Sequence, residues 1–126
     1  MTSDANGTVR NQEILIVEDE LLIALELERI VKQLGYIVLG PAASIEKALD
    51  LLSRSSPSAA LLDINLSGVS VTPVAQVCQD RGIPFLLVTG YGRLSLQEPI
   101  LDSAPRIRKP FDKHSIKSAL VGLVEN

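Results

Sequence analysis

Short apolar runs alternate with amphipathic segments along the chain from residue 13 onward. Most of these runs are rich in Ile, Val or Leu, which is typical of strands that are buried in a sheet. They predict five strands, which cover residues 13–18, 36–40, 58–63, 84–90 and 106–109.

The amphipathic segments between the runs predict helices. In the first segment, apolar residues recur at helical spacing, and Gly35 is a natural stop after them. Ser44 and Asp112 are suited to cap the second and the last helix, and Pro73 suits the first turn of the third. These signals place four helices at about residues 21–34, 45–54, 71–81 and 113–125.

Strands that alternate with helical segments predict an α/β fold, with a parallel sheet and helices on both of its faces. Pro99 and Pro105 lie between the last two strands, so a helix there should be short or irregular. The sequence contains no internal repeat or linker. We expect a flexible polar tail over residues 1–12 and one domain over residues 13–126.

The composition of the chain argues against several classes of function. The chain has 126 residues, of which 46% are hydrophobic, and this suits one domain with a real core. A net charge of -3 and only 3% aromatic residues argue against a nucleic-acid surface. No apolar run approaches the roughly 18 residues of a membrane span, and the N-terminus does not resemble a signal peptide. We expect a cytoplasmic protein that binds neither nucleic acid nor membrane.

Polar side chains end four of the five predicted strands. Glu18 and Asp19 close the first strand, Asp63 the third, Thr89 the fourth and Lys109 the fifth. Because ligands bind outside the carboxyl ends of the strands in open α/β sheets, we expect these side chains to share one site. Asp63 in particular should face solvent or a cation, because it interrupts an apolar run and burying an unpaired carboxylate is costly.

These residue types fit phosphoryl transfer onto a carboxylate. Three acids packed together repel one another and raise their own pKa values. Mg²⁺ relieves this repulsion, because it prefers oxygen ligands and keeps positions open for water and phosphate. The metal also neutralises charge on the transferred group. Lys109 supplies a second cation, and Thr89 supplies a hydroxyl that can reach a phosphate oxygen.

The chain resembles the receiver domain of two-component response regulators. The motifs that carry the resemblance are "ILIVEDE", "LLDINLSG", "LLVTGYG" and "RKPF", and it extends from about Gln12 to the C-terminus. It implies a flavodoxin-like, doubly wound fold whose five-stranded parallel sheet has the order 2-1-3-4-5. It also implies a signalling protein rather than an enzyme, with a histidine kinase as phosphodonor and Mg²⁺ as cofactor.

The resemblance gives a role to each residue of the acidic site. Asp63 is implied to be the phosphoacceptor. Asp19 would bind Mg²⁺ directly, Glu18 would bind it through water, and Asn65 would offer its backbone carbonyl.

The resemblance also covers three residues that follow the fourth and fifth strands. Thr89 matches the switch hydroxyl and Lys109 the lysine that contacts the phosphate. Pro110 matches the proline that follows this lysine through a cis bond.

One departure from the family concerns the signal. Receivers usually carry Tyr or Phe three residues before the lysine, and this chain has Arg106. We expect the Arg106 guanidinium to stay in solvent. Tyr91 and the segment up to Pro105 would instead reorder on phosphorylation and form the partner surface.

The stretch "IPFLLVTGYG" resembles the Pro-Phe-x-Phe-Ala-Thr-Gly-Tyr motif of a subgroup of single-domain regulators. Leu87 and Val88 depart from that motif. Members of the subgroup tend to pair with histidine kinases of the HWE type. Such a protein either signals by binding a downstream protein or passes phosphate on as a shuttle or sink, and the sequence leaves both open. The initial Met1 favours a whole protein over a domain cut from a hybrid kinase.

Other classes of function fit the residues less well. A haloacid-dehalogenase-like phosphatase needs a second Asp two residues after the nucleophile, and Asn65 stands there. A nucleotide-binding enzyme needs a glycine-rich loop after the first strand, and "VEDELLIA" contains no glycine. An interaction module that works without phosphorylation stays open as the alternative.

Overall fold

The computed structural model describes residues 12–90 and 98–125, and their elements follow the predicted alternation. The strands are β1 (Glu13–Val17), β2 (Ile37–Ala42), β3 (Ala59–Asp63), β4 (Asn65–Leu66), β5 (Val69–Ser70), β6 (Phe85–Thr89) and β7 (Arg106–Arg108). The helices are α1 (Leu21–Gln33), α2 (Ile45–Arg54), α3 (Thr72–Asp80), α4 (Pro99–Asp102) and α5 (Lys113–Val124).

Five of the strands form one parallel sheet in the order β2-β1-β3-β6-β7. Counted over the strands of this sheet, the order is 2-1-3-4-5, so the flavodoxin-like prediction is confirmed. The central strand β3 is buried over its whole length. Its carboxyl end, at Asp63, lies between the ends of β1 and β6.

The sheet separates two apolar clusters, as the alternation of side chains along a strand requires. Leu15 and Val17 of β1 pack with α2 and α3, whereas Ile14 and Ile16 pack with α1 and α5. Helices therefore cover both faces. No helix within the described ranges is long and apolar enough to cross a membrane.

The predicted caps explain where the helices begin. Ser44 Oγ accepts a hydrogen bond from the backbone N–H of Lys47, 3.1 Å away, at the start of α2. Asp112 and Ser115 form a reciprocal capping box at the start of α5. Pro73 lies in the first turn of α3. Helix α4 has only four residues, as the two prolines indicated.

The predicted end of the second strand was wrong. β2 continues through Gly40 and a cis Gly40–Pro41 bond to Ala42. Gly40 has a φ of +100°, and a Cβ there would lie 2.8 Å from the backbone nitrogen of Ala42. The strand passes this point because only glycine combines that φ with such close packing.

The hairpin of β4 and β5 was not predicted. Its two turn residues, Ser67 and Gly68, have φ values of 53° and 88°. Two positive φ values in a two-residue turn are typical of the tight hairpins that match the twist of a sheet. The Ser-Gly dipeptide was the available signal for this turn.

Candidate functional site

The side chains predicted to meet do meet at the carboxyl edge of the sheet. Residues at and just after the ends of β1, β3 and β6, together with Lys109 after β7, surround a cavity of about 720 Å³. Its lining includes Asp19, Asp63, Asn65, Thr89 and Lys109.

A second cavity, of about 680 Å³, opens at the opposite edge of the sheet. It is lined by residues that precede the strands, such as Ser58, Pro84 and Pro105, and by no charged side chain. Of the two cavities, the one at the carboxyl edge therefore carries the charged side chains.

Three carboxylates lie together at this edge. Glu18, Asp19 and Asp63 each offer an oxygen atom, and these atoms lie within 4.8 Å of one another. Glu18 is 2% exposed and Asp63 is 8% exposed, so water screens their charges poorly.

Lys109 is the cation that faces these acids. Its Nζ lies 3.2 Å from Glu18 Oε1, 3.7 Å from Asp63 Oδ2 and 3.6 Å from Glu20 Oε1. Glu18 Oε1 is buried and accepts no hydrogen bond of good geometry from the described residues. One ammonium group therefore compensates only part of the negative charge.

The protonation of the cluster reflects this imbalance. Burial, and then repulsion by Asp63, raises the pKa of Glu18 to about 7, against a hydrogen bond from the Glu20 N–H and the charge of Lys109. Burial also raises the pKa of Asp63, although Lys109 opposes the shift. Burial lowers the pKa of Lys109, but the charges of Asp63 and Glu18 outweigh it, and the net pKa is raised. Without a further cation, Glu18 and Asp63 therefore hold protons more tightly than free carboxyl groups do.

The hairpin presents the backbone of Asn65 to the cavity. Val71 N donates to Ile64 O over 2.9 Å, and the next pair along the ladder is Asn65 with Ser70. Hydrogen-bonded and non-bonded pairs alternate in an antiparallel ladder, which leaves the Asn65 carbonyl outside it. The Asn65 side chain is occupied, because its Oδ1 accepts from Gly68 N over 2.7 Å.

Thr89 and Lys109 are joined through the backbone. Thr89 is 3% exposed, and its carbonyl accepts from Lys109 N over 2.7 Å. The following Lys109–Pro110 bond is cis. The ends of β6 and β7 thus hold the hydroxyl and the ammonium at one edge.

Arg106, whose guanidinium was expected in solvent, is half-buried, and its guanidinium is bound to the backbone. Its Nη2 donates to the carbonyl oxygens of Leu101 and Asp102, over 2.7 and 3.1 Å. The last carbonyls of a helix have no partner inside the helix, and a guanidinium satisfies two of them at once. Arg106 therefore caps α4. Tyr91, which was predicted to reorder on phosphorylation, lies outside the described residues.

Sequence reasoning missed two further side chains that line the same cavity. Glu98, just before α4, accepts a hydrogen bond from Ser70 Oγ over 2.9 Å. Ser67 donates to Asp19 Oδ2 over 2.8 Å. Both contacts are made by residues of the hairpin. Ser67 could have been predicted only together with the turn of the hairpin. No local sequence signal indicated Glu98.

Comparison with known proteins agrees with this geometry. Residues 14–121 match the family model of the response regulator receiver domain. The phyllosphere-induced regulator PhyR of Methylorubrum extorquens is 33% identical over 111 residues, which are 86% of this chain and 42% of that protein. The chain thus spans about two fifths of the length of PhyR.

Solved structures are similar over nearly the whole chain. SdrG from Sphingomonas melonis is 36% identical with a TM-score of 0.78, over 90% of this chain and 97% of SdrG. The receiver domain of the sensor histidine kinase PA1611 from Pseudomonas aeruginosa has a TM-score of 0.80 at 23% identity, over 92% and 99%. That likeness concerns the fold, and that structure has a magnesium ion in its active-site cleft.

The described edge of the sheet carries the acids and the lysine, and the family model covers residues 14–121. The chain belongs to the response regulator receiver domains, which are signalling modules of two-component systems.

Proposed function

We propose that this chain is a phosphoacceptor, in which Asp63 takes a phosphoryl group from a phosphohistidine of a histidine kinase with the help of Mg²⁺. The observation that carries the proposal is the cluster of Glu18, Asp19 and Asp63, whose oxygens lie within 4.8 Å of one another beside Lys109. A purely structural role does not account for burying so much like charge at one edge.

The donor set suits Mg²⁺. This ion prefers oxygen ligands, binds through a few carboxylates and retains several waters. We assign Asp19, Asp63 and the Asn65 carbonyl as direct ligands and Glu18 as a ligand through water. When bound, Mg²⁺ offsets the charge of the acids and of the transferred group.

The remaining steps belong to the side chains. A carboxylate oxygen of Asp63 attacks phosphorus, an O–P bond forms, and the N–P bond of the phosphohistidine breaks with its electron pair left on the imidazole nitrogen. Lys109 Nζ, 3.7 Å from Asp63 Oδ2, then pairs with the new phosphoryl oxygens. The Thr89 hydroxyl is assigned to one of those oxygens.

Asp63→Asn should abolish phosphorylation, because the amide is a far weaker nucleophile than the carboxylate. We expect wild type to gain one phosphoryl group from a histidine kinase or a small phosphodonor in Mg²⁺, and none in EDTA. Intact-mass spectrometry checks both results, with Asp50→Asn, an exposed acid of α2, as the matched control.

Labelling of Asp63→Asn at the wild-type level would refute the assignment of Asp63. A chain that takes no phosphate from any donor, yet binds its partner, would favour the interaction module. We also propose a kinase of the HWE type, on the likeness of "IPFLLVTGYG" to its subgroup, and phosphotransfer profiling against all histidine kinases of the source tests this.

Mg²⁺ affinity should rise with pH across neutrality. The pKa of Glu18 is raised to about 7, so below that pH the ion must displace a proton, and above it the carboxylate is already charged. Calorimetric titration from pH 6 to pH 8 should show tighter binding at each step, and Glu18→Gln should remove most of this dependence.

Asp19→Asn should weaken Mg²⁺ binding more than Glu18→Gln does, because Asp19 is assigned as a direct ligand and Glu18 as a ligand through water. Equal losses in the two variants, or a wild-type affinity that is flat from pH 6 to pH 8, would count against the proposed ligand set.

We further propose that the signal leaves through the segment that ends at Arg106. Glu98 shares the cavity with Asp63 and is hydrogen bonded to Ser70, while Arg106 holds the other end of α4. Phosphorylation adds about 1.5 to 2 negative charges, and these repel the Glu98 carboxylate. Tyr91 and the residues up to Pro105 are proposed to reorder together in response.

Backbone amide shifts with and without beryllofluoride test this proposal. We expect changes that extend from the cavity through residues 98–106. A response confined to the cavity, with residues 93–102 silent, would contradict it, and Arg106→Ala should enlarge the response because it frees the end of α4.

A further inference from the structure

We propose that Ser67 is a positioning residue that restricts Asp19 to one oxygen toward the metal and so favours Mg²⁺ over Ca²⁺. The inference rests on the proposed metal site, and it assigns a selectivity to that site. Its starting point is the 2.8 Å hydrogen bond from Ser67 Oγ to Asp19 Oδ2.

The hydrogen bond joins two separate parts of the fold. Ser67 occupies the turn of the β4–β5 hairpin, whereas Asp19 lies in the loop after β1, 48 positions earlier in the chain. Both residues line the cavity at the carboxyl edge. The turn of the hairpin therefore orients the Asp19 carboxylate, although the two are far apart in the sequence.

The hairpin holds the backbone beneath Ser67 on both sides. Leu66 pairs with Val69 across the turn and is 3% exposed in the core. Gly68 N donates to Asn65 Oδ1 over 2.7 Å. Ser67 itself has a φ of 53°, which few residues other than glycine, Asn and Asp adopt. The backbone that carries the hydroxyl is thus held in place by contacts that do not involve Asp19.

The chemistry of the two ions makes this contact selective. A hydroxyl that donates to Oδ2 fixes the plane of the carboxylate and leaves Oδ1 as the better ligand atom. Mg²⁺ accepts a single oxygen in a strict octahedron, whereas Ca²⁺ takes six to eight oxygens and often binds a carboxylate through both. Occupying one oxygen therefore costs Ca²⁺ more than Mg²⁺.

Ser67→Gly removes the hydroxyl and suits the positive φ, so the turn should persist. We expect its Mg²⁺ affinity to fall about tenfold and its Ca²⁺ affinity to fall less or to rise, which lowers the ratio of the two. Ser67→Asn accepts the same φ and carries an amide donor, so it should restore part of the ratio. Calorimetric titration of the full chain with each ion alone measures both affinities.

The matched control is Ser58→Gly, which removes a hydroxyl at the opposite edge of the sheet and should leave the ratio unchanged. Thermal melting in EDTA checks that each variant folds. A wild-type ratio in Ser67→Gly, which equal losses for both ions would give, would overturn the inference, as would a lowered ratio that Ser67→Asn fails to raise. Failure of the wild-type chain to bind Mg²⁺ would instead overturn the proposed function, and the inference with it.

Discussion

Repulsion among the carboxylates of Glu18, Asp19 and Asp63, of which the first and the last are buried, is the constraint on which the rest of the site depends. Their oxygens lie within 4.8 Å of one another, and Lys109 faces them as a single ammonium group. The apolar strands bring these charges together, because the ends of neighbouring parallel strands meet at one edge. Burial raises the pKa values of both Glu18 and Asp63, and repulsion by a neighbouring acid adds to each rise. A further cation, or the loss of the charge of Asp63, therefore reduces the electrostatic repulsion at this edge.

The strand that ends in Asp63 could be predicted because burial leaves a strong local pattern. Apolar runs marked the strands of the sheet, and the polar residues that closed them marked the site. The hairpin at residues 65–70 was not predicted, because its strands have two residues each and show no hydrophobic periodicity. The extension of β2 to Ala42 escaped because Gly40 and a proline normally indicate the end of a strand. The contacts of Arg106 depend on where α4 ends, which the sequence pattern does not record.

The unpredicted hairpin of β4 and β5 connects the proposed metal site with the residue before α4. Asn65 and Ser67 turn toward the proposed metal site, the first through its backbone and the second through Asp19. Ser70, at the other end of the hairpin, is hydrogen bonded to Glu98 before α4. The hairpin is thus joined to the residue before α4 by one side-chain hydrogen bond. Arg106 then ties the end of α4 to the sheet, in the position where most receivers carry an aromatic ring.

Thermal stability of the metal-free chain shows whether the charge of Asp63 destabilises this edge of the sheet. Asp63 and Glu18 have pKa values raised above those of free carboxyl groups, so the stability that they contribute is present at low pH and lost as pH rises through the folded-state values. Neutral Asp63→Asn escapes part of this loss. In EDTA at pH 8 it should melt a few °C above wild type. A variant that melts at or below wild type under these conditions would contradict the account.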